Sequence, residues 1–428
     1  MVMRRVLIVT GSYAPTMIAD MHRARQLAWH LPELGWDVEI FCPDETYQPP
    51  SCLDRDSSAF FAPDTPVHGI PQRFARLFQA VNIGSIGVRA ILPLLHSGQN
   101  LLRQRQYDLV YISTAQFLLF LLGPAWRRKF GIPYVLDLHD PVYRPDVEPA
   151  GLKHRMSRTL SRYVEARAAG AASALISVSP QYLDQLRQRH AKASLVWLHA
   201  GRQAVIPFAV LPRDLEEAAR DMPPPPADGV ARIVYVGTGG PIMARSFSLL
   251  CRALSHLRAQ RADLLERVRI ELSGTASAVG VVGVRHLAEV AREHGLADIV
   301  SEDPFRVTYR RSLELLLQGD GALILGVDDA GYMPSKLFTY AYSGKPLLAC
   351  LHLDGPALGA FRDTPGLGHA LWFGGGDEMP LAEAARIVGA YLEEVVGRRR
   401  FDRRACVEPH TAAAMARRHA EVFAACLP

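Results

Sequence analysis

The chain sets side chains able to do chemistry directly behind short apolar runs that read as strands, and open α/β sheets bind ligands just beyond such strand ends. His139 stands beside Asp140 in Asp137-Leu138-His139-Asp140-Pro141, after the run 131–136. An imidazole there can donate or accept a hydrogen bond at a reacting centre. Most lone histidines are structural, but a loop position favours the functional reading. Gly237-Thr238-Gly239-Gly240 follows the apolar run 233–236, with Arg245 beyond it. A glycine-rich turn between strand and helix lets backbone N–H groups approach phosphate, a weak signal singly that gains from this context. Gly11 follows the first apolar run, where a single glycine suits a ligand loop or a plain turn. Asp328-Asp329 reads as a loop near a ligand or, equally, as a turn with solvated acids. In 331–349, Tyr332 and Met333 end a loop and Pro334 suits the first turn of a helix over 336–342. Ser343-Gly344-Lys345-Pro346 stops that helix ahead of a strand over 347–351. Ser335 and Lys336 then stand at a helix start whose unpaired N–H groups favour phosphate.

The elements that must position these residues alternate regularly. Strands are expected at 4–10, 37–42, 107–113, 134–137 and 174–178, with a helix over 19–31. After residue 197 the pattern breaks into a stretch containing four consecutive prolines, Pro223 to Pro226, which favour an extended linker. Alternation restarts with strands at 232–236, 268–273 and 321–325 and helices at 246–259 and 286–294. Strands separated by helices, without hairpin signals, indicate parallel doubly wound sheets. The expected division is a domain over 1–200, a proline-rich connector over 201–229, a second domain over 230–395 and a closing segment over 396–428. The two halves show no internal sequence repeat. The arginine-rich 398–404 is read as a solvated turn, with binding of anionic lipid as the lesser alternative.

The 428 residues exceed one ordinary core, and 49% hydrophobic with 21% charged residues is a globular composition. A net charge of +5, from 48 basic and 43 acidic residues, comes without a long basic tract. That excludes a nucleic-acid-binding arm and suits an anionic small molecule or membrane surface. The six cysteines are far apart with no C-x-x-C pair, so neither a zinc site nor a disulfide framework is expected. No metal site is expected elsewhere. The apolar run 6–9 is too short for a signal sequence, and 117–122 is well short of the roughly 20 residues that span a bilayer. A cytoplasmic protein is expected, peripheral at the inner face of a membrane. The stretch 73–104 interleaves apolar residues with Arg76, Arg89 and Arg103, reading as core-facing helices or a basic amphipathic surface.

The run 331–349 resembles the signature of the glycosyl transferases group 1 (GT4-like) family of GT-B-fold enzymes. A form P-S-K-L-x-E-Y-x-x-S-G-K-P matches at Pro334, Ser335, Lys336, Leu337, Tyr340, Ser343, Gly344, Lys345 and Pro346, with Thr339 in place of Glu. The family's other acid falls on Gly331. The segment 131–140 is similar to the family's G-x-P-x-x-x-x-x-H-D, where the histidine faces the donor sugar. The resemblance implies two Rossmann-like domains facing a cleft, with a terminal helix returning to the first. It implies metal-independent transfer, with retention, from a nucleotide sugar to an acceptor such as a glycan or membrane-borne glycolipid. His139 and Asp140 would be catalytic. Gly11, Gly237, Thr238, Gly239, Arg245, Asp329, Tyr332, Ser335, Lys336 and Thr339 would bind the donor, and no separate cofactor is implied. Because both acids are replaced, a non-catalytic nucleotide-sugar-binding protein is the alternative.

Overall fold

The computed structural model describes residues 3–72, 85–145, 151–276 and 283–427. The chain divides into two units, one made of Met1–Pro207 with Ala412–Pro428 and the other of Phe208–Thr411.

The first unit is built on seven strands: β1 Arg4–Val9, β2 Trp36–Pro43, β3 Val67–Ile70, β4 Leu109–Ser113, β5 Tyr134–Leu138, β6 Ala174–Ser177 and β7 Gln203–Val205. All pair in parallel, in the order β3-β2-β1-β4-β5-β6-β7. The central strands are buried on both faces, which explains why β1, β4 and β5 read as unbroken apolar runs. The helix Ile86–Gln104 turns Ala90, Leu94 and Leu102 into this core. Its Arg89 also points inward, donating to Gln72 and the Tyr47 carbonyl. The 73–84 part of that amphipathic stretch, with Arg76, lies outside the described residues.

The second unit repeats the plan with β8 Ala231–Val236, β9 Val268–Ser273, β10 Val300–Asp303, β11 Gly321–Leu325, β12 Leu347–His352, β13 His369–Gly374 and β14 Asp377–Glu378. The order β10-β9-β8-β11-β12-β13-β14 is that of the first sheet, except that β14 runs antiparallel to β13. In each sheet the order reverses beside the first strand, between β1 and β4 and between β8 and β11. Open α/β sheets bind ligands at such switch points.

Two stretches differ from expectation. Within 201–229, Gln203–Val205 forms the edge strand of the first sheet and Pro212–Ala219 forms a helix of the second unit. That helix is tied down by Tyr309, whose hydroxyl donates to Asp214, and by Arg310, which donates to Glu217. The proline run lies outside any helix or strand and keeps the character of a linker. Residues 396–411 group with the second unit, and the arginine-rich turn is not wholly solvated. Buried Arg403 donates to the carbonyls of Lys345 and Gly366, while the Phe401 N–H donates to the Gly344 carbonyl.

Candidate donor and acceptor sites

In the first unit, the ends of β1, β4 and β5 converge on a buried polar cluster. The Asp137 carboxylate, fully enclosed at the end of β5, accepts from the Tyr111 hydroxyl at 2.7 Å, the Ser113 hydroxyl at 2.8 Å and His139 Nε2 at 2.8 Å. Arg23 Nε lies 3.1 Å from the same oxygen. Burial alone would push this carboxyl up, but the charges of Arg23 and His139 outweigh it and hold Asp137 well below the usual carboxylate range. The last helix, Ala412–Ala425, completes the cluster. His419 Nδ1 donates to the Met415 carbonyl at 2.8 Å, which leaves Nε2 to accept from Arg23 at 3.4 Å, and the Tyr111 oxygen, whose proton goes to Asp137, lies 3.1 Å from the same nitrogen. Burial, with Arg23 alongside, lowers the His419 pKa to about 3.

His139 is 7% exposed, so the loop position read from the sequence holds a buried, hydrogen-bonded ring. A buried carboxylate needs donors, and Asp137 recruits this imidazole as one of them. Asp140, one residue on, faces solvent. The sequence reading missed Asp20, whose carboxyl accepts from Ser12 at 3.0 Å and Thr114 at 3.3 Å. Burial raises its pKa, offset in part by the Ser12 hydrogen bond and the nearby His139 charge. Gly11 leaves room for this acid, since a Cβ there would stand 2.5 Å from Asp20 Oδ2 and 2.6 Å from Thr114 Oγ1. The arrangement sets a carboxyl of raised proton affinity beside an imidazole at the sheet's switch point, a combination suited to proton transfer.

In the second unit, Gly237 begins the loop after β8 with φ at 141°, a backbone that glycine adopts readily. A Cβ there would collide with the Lys336 ammonium. That ammonium donates to the Val236 carbonyl and lies 5.7 Å from the centre of the Tyr235 ring. Burial, with the Arg306 charge adding to it, lowers the Lys336 pKa to about 8. No carboxylate pairs with Lys336 among the described residues. Arg306, in the loop after β10, had no motif to mark it. Gly239 packs against Thr275 and Leu287, and Thr238 is exposed.

The remaining motif residues divide by role. The helix after the loop starts at Leu337, not at Lys336, and spans six residues to Tyr342. Pro334 and exposed Ser335 precede it in a turn closed by the Leu337 N–H on the Pro334 carbonyl. Lys336 takes the capping position, and no side chain caps the end. The Tyr340 hydroxyl accepts from the Val236 N–H at 3.2 Å, holding the end of β8. Thr339 is half-buried on the helix. Gly344 adopts φ of 71°, and Lys345 Nζ donates to the Leu317 and Gly319 carbonyls, so these motif residues build structure. Asp329 accepts from the Gly331 N–H at 2.7 Å, shaping the turn that carries Tyr332. Asp328 pairs with Arg245. No cluster of three or more histidine, cysteine or acidic residues able to hold a metal ion occurs among the described residues.

Comparison with known proteins matches this layout. Residues 22–208 match the family model described as a glycosyl transferase 4-like domain. No curated protein sequence matches the chain. Among solved structures, Anabaena HepE in complex with UDP-glucose is 15% identical with a TM-score of 0.61, over 98% of this chain and 99% of that one. A UDP-forming α,α-trehalose-phosphate synthase from Burkholderia xenovorans is 12% identical with a TM-score of 0.62, over 99% of each chain. WaaG, a glycosyltransferase of lipopolysaccharide biosynthesis, is 11% identical with a TM-score of 0.57, over 98% of this chain and 99% of that one. Residues 22–208 thus match a glycosyl transferase 4-like domain, and the chain shares the GT-B fold of these structures.

Proposed function

We propose that this chain transfers a sugar from a nucleotide-sugar donor, held by the second unit, to an acceptor met by the first. The observation that carries the reading is Lys336. Its ammonium, on a half-buried side chain without a carboxylate partner among the described residues, stands against Gly237 at the switch point of the second sheet. A cation whose burial costs it protons gains most from a dianion, and the leaving nucleoside diphosphate develops negative charge as the glycosidic bond breaks. Lys336, with the Arg306 charge close by and Arg245 elsewhere in the same unit, supplies that compensation through side chains, in a metal-independent transfer. HepE and the trehalose-phosphate synthase, proteins named with UDP-glucose and UDP, support a uridine donor.

On the acceptor side, Asp20 takes or shares the proton of the attacking hydroxyl, and His139, anchored by Asp137, tunes that carboxyl. Stereochemistry is retained, and the acceptor is a glycan or glycolipid. Gly331 and Thr339, in place of the family acids, favour a second reading in which the protein binds a nucleotide sugar without transferring it.

Calorimetry with UDP, GDP and ADP tests the donor site on wild type and Lys336→Met. Release of UDP from UDP-sugars, with the anomeric configuration of the product read by NMR, separates transfer from binding. Equal affinity of both proteins for all three nucleotides would remove the observation on which the proposal stands.

A further inference from the structure

The helix Leu152–Ala169 of the first unit buries only one narrow face, with Val164, Glu165, Ala168 and Ala169 enclosed. On the other side, Leu152, Met156, Leu160 and Tyr163 are 74%, 66%, 43% and 57% exposed. At about 100° per residue these four fall within roughly 80° of one another, so they form one continuous apolar stripe facing water. Scattered exposed apolar residues need no explanation, but an aligned row of four does.

The flanks of the stripe carry charge of one sign. Lys153 borders it on one side and Arg155 and Arg162 on the other, and these three make no ion pair among the described residues. Arg167 continues the stripe toward the helix end. The helix's one acid, Glu165, is turned inward and held by Arg189 through two bonds of 2.7 Å. The outer face therefore carries an apolar row, and every charge beside it is positive. An amphipathic helix of this kind lies in the plane of an anionic bilayer, with its apolar row among the acyl chains and its cations at the phosphates. A second copy docked on the same row would instead set these like charges against one another. No helix among the described residues is long and apolar enough to cross a membrane, so contact of this type would be peripheral. The helix Ile86–Gln104 offers a weaker case: it exposes Val88 and Leu92, but its Arg89 is turned inward.

We propose that the helix Leu152–Ala169 docks the protein on anionic phospholipid. The test is co-sedimentation of the full chain with unilamellar vesicles of phosphatidylcholine, with and without phosphatidylglycerol, at low and high salt. Binding is expected only with phosphatidylglycerol and should weaken with salt. Met156→Asn with Leu160→Asn, and separately Arg155→Gln with Arg162→Gln, should each weaken it by about tenfold or more. All four positions have exposed side chains, and unchanged thermal unfolding of the variants will show that the fold survives. Unchanged vesicle binding in either double variant, or equal binding to phosphatidylcholine alone, would overturn the proposal. So would a dimer in sedimentation velocity that the Met156/Leu160 variant dissolves, because the row would then be covered by a second copy.

Discussion

The Arg245 guanidinium lies 2.6 Å from the Asp328 carboxylate, and 5.5 Å from the centre of the Phe373 ring. The cation expected to meet a diphosphate is therefore already paired with an acid of its own unit. Both side chains are more than a third exposed, so the pair adds only about 0–1 kcal/mol to stability. Arg245→Ala should weaken UDP binding by about threefold, and Asp328→Asn should strengthen it by a similar factor, since phosphate no longer competes with a carboxylate. Calorimetry on both variants decides the matter. Weaker binding in Asp328→Asn would mean that the acid orients the guanidinium.

Lys336 should matter more. A charge-assisted contact is worth about 1.5–3 kcal/mol, so Lys336→Met should weaken UDP binding by about tenfold or more. The pH dependence has a definite sign. With a pKa of about 8 in the free protein, the ammonium loses its proton as pH rises through that value, and affinity for UDP should fall there. In Lys336→Met that fall should be absent. A pH-independent wild-type affinity between 7 and 9 would separate Lys336 from the phosphates.

Asp20→Asn keeps the shape of the side chain and both neighbours, Ser12 and Thr114, yet cannot take a proton. Transfer to the acceptor should drop by about 100-fold, the scale of a lost general base, while the affinity for UDP stays within a factor of two or so. Steady-state kinetics beside calorimetry distinguish this from a structural defect, which would lower both.

The His419–Tyr111–Arg23–Asp137 cluster makes the first unit sensitive to acid. His419 has a folded pKa of about 3, below its ordinary 6.5, so between these values the unfolded chain binds the extra proton. Stability is full above about pH 6.5 and declines toward pH 3, by at most about 1.4 kcal/mol per pH unit. Asp137, depressed further, adds to the loss below the ordinary carboxylate range. Urea titrations at a series of pH values should show this slope. In His419→Gln the part between pH 6.5 and 4 should vanish, with a lower stability at neutral pH because the Tyr111 and Arg23 contacts are disturbed. An unchanged slope would mean that other groups take up the proton.

The sequence made the central strands legible because burial on both faces leaves unbroken apolar runs, as in Val6-Leu7-Ile8-Val9 and Ala322-Leu323-Ile324-Leu325. Edge strands were harder to read. β3 exposes Val67 and Gly69, and β7 has only three residues, none fully buried, so neither carries a pattern that a linker lacks. At the site, glycine loops and motif lysines were readable from their spacing after strands. Asp20 was not, because it follows no strand directly and reaches the cluster only through folding, and Arg306 lies in a loop without any signature. The short helix behind Ser335 starts one residue later than its spacing implies, since a proline suits either the first helical turn or the loop before it.

The topology of the first unit also orders events during synthesis. Residues 1–207 leave the ribosome early, but the helix that closes over Arg23 and Asp137 comes from Ala412–Pro428, behind the whole of Phe208–Thr411. The nascent first sheet must therefore wait with a buried-charge cluster still open to water, while the second unit, continuous in sequence, has everything it needs to fold. A chain stalled at residue 411 would carry a finished second unit and an unfinished first one, and the last helix acts as the latch that ends the wait.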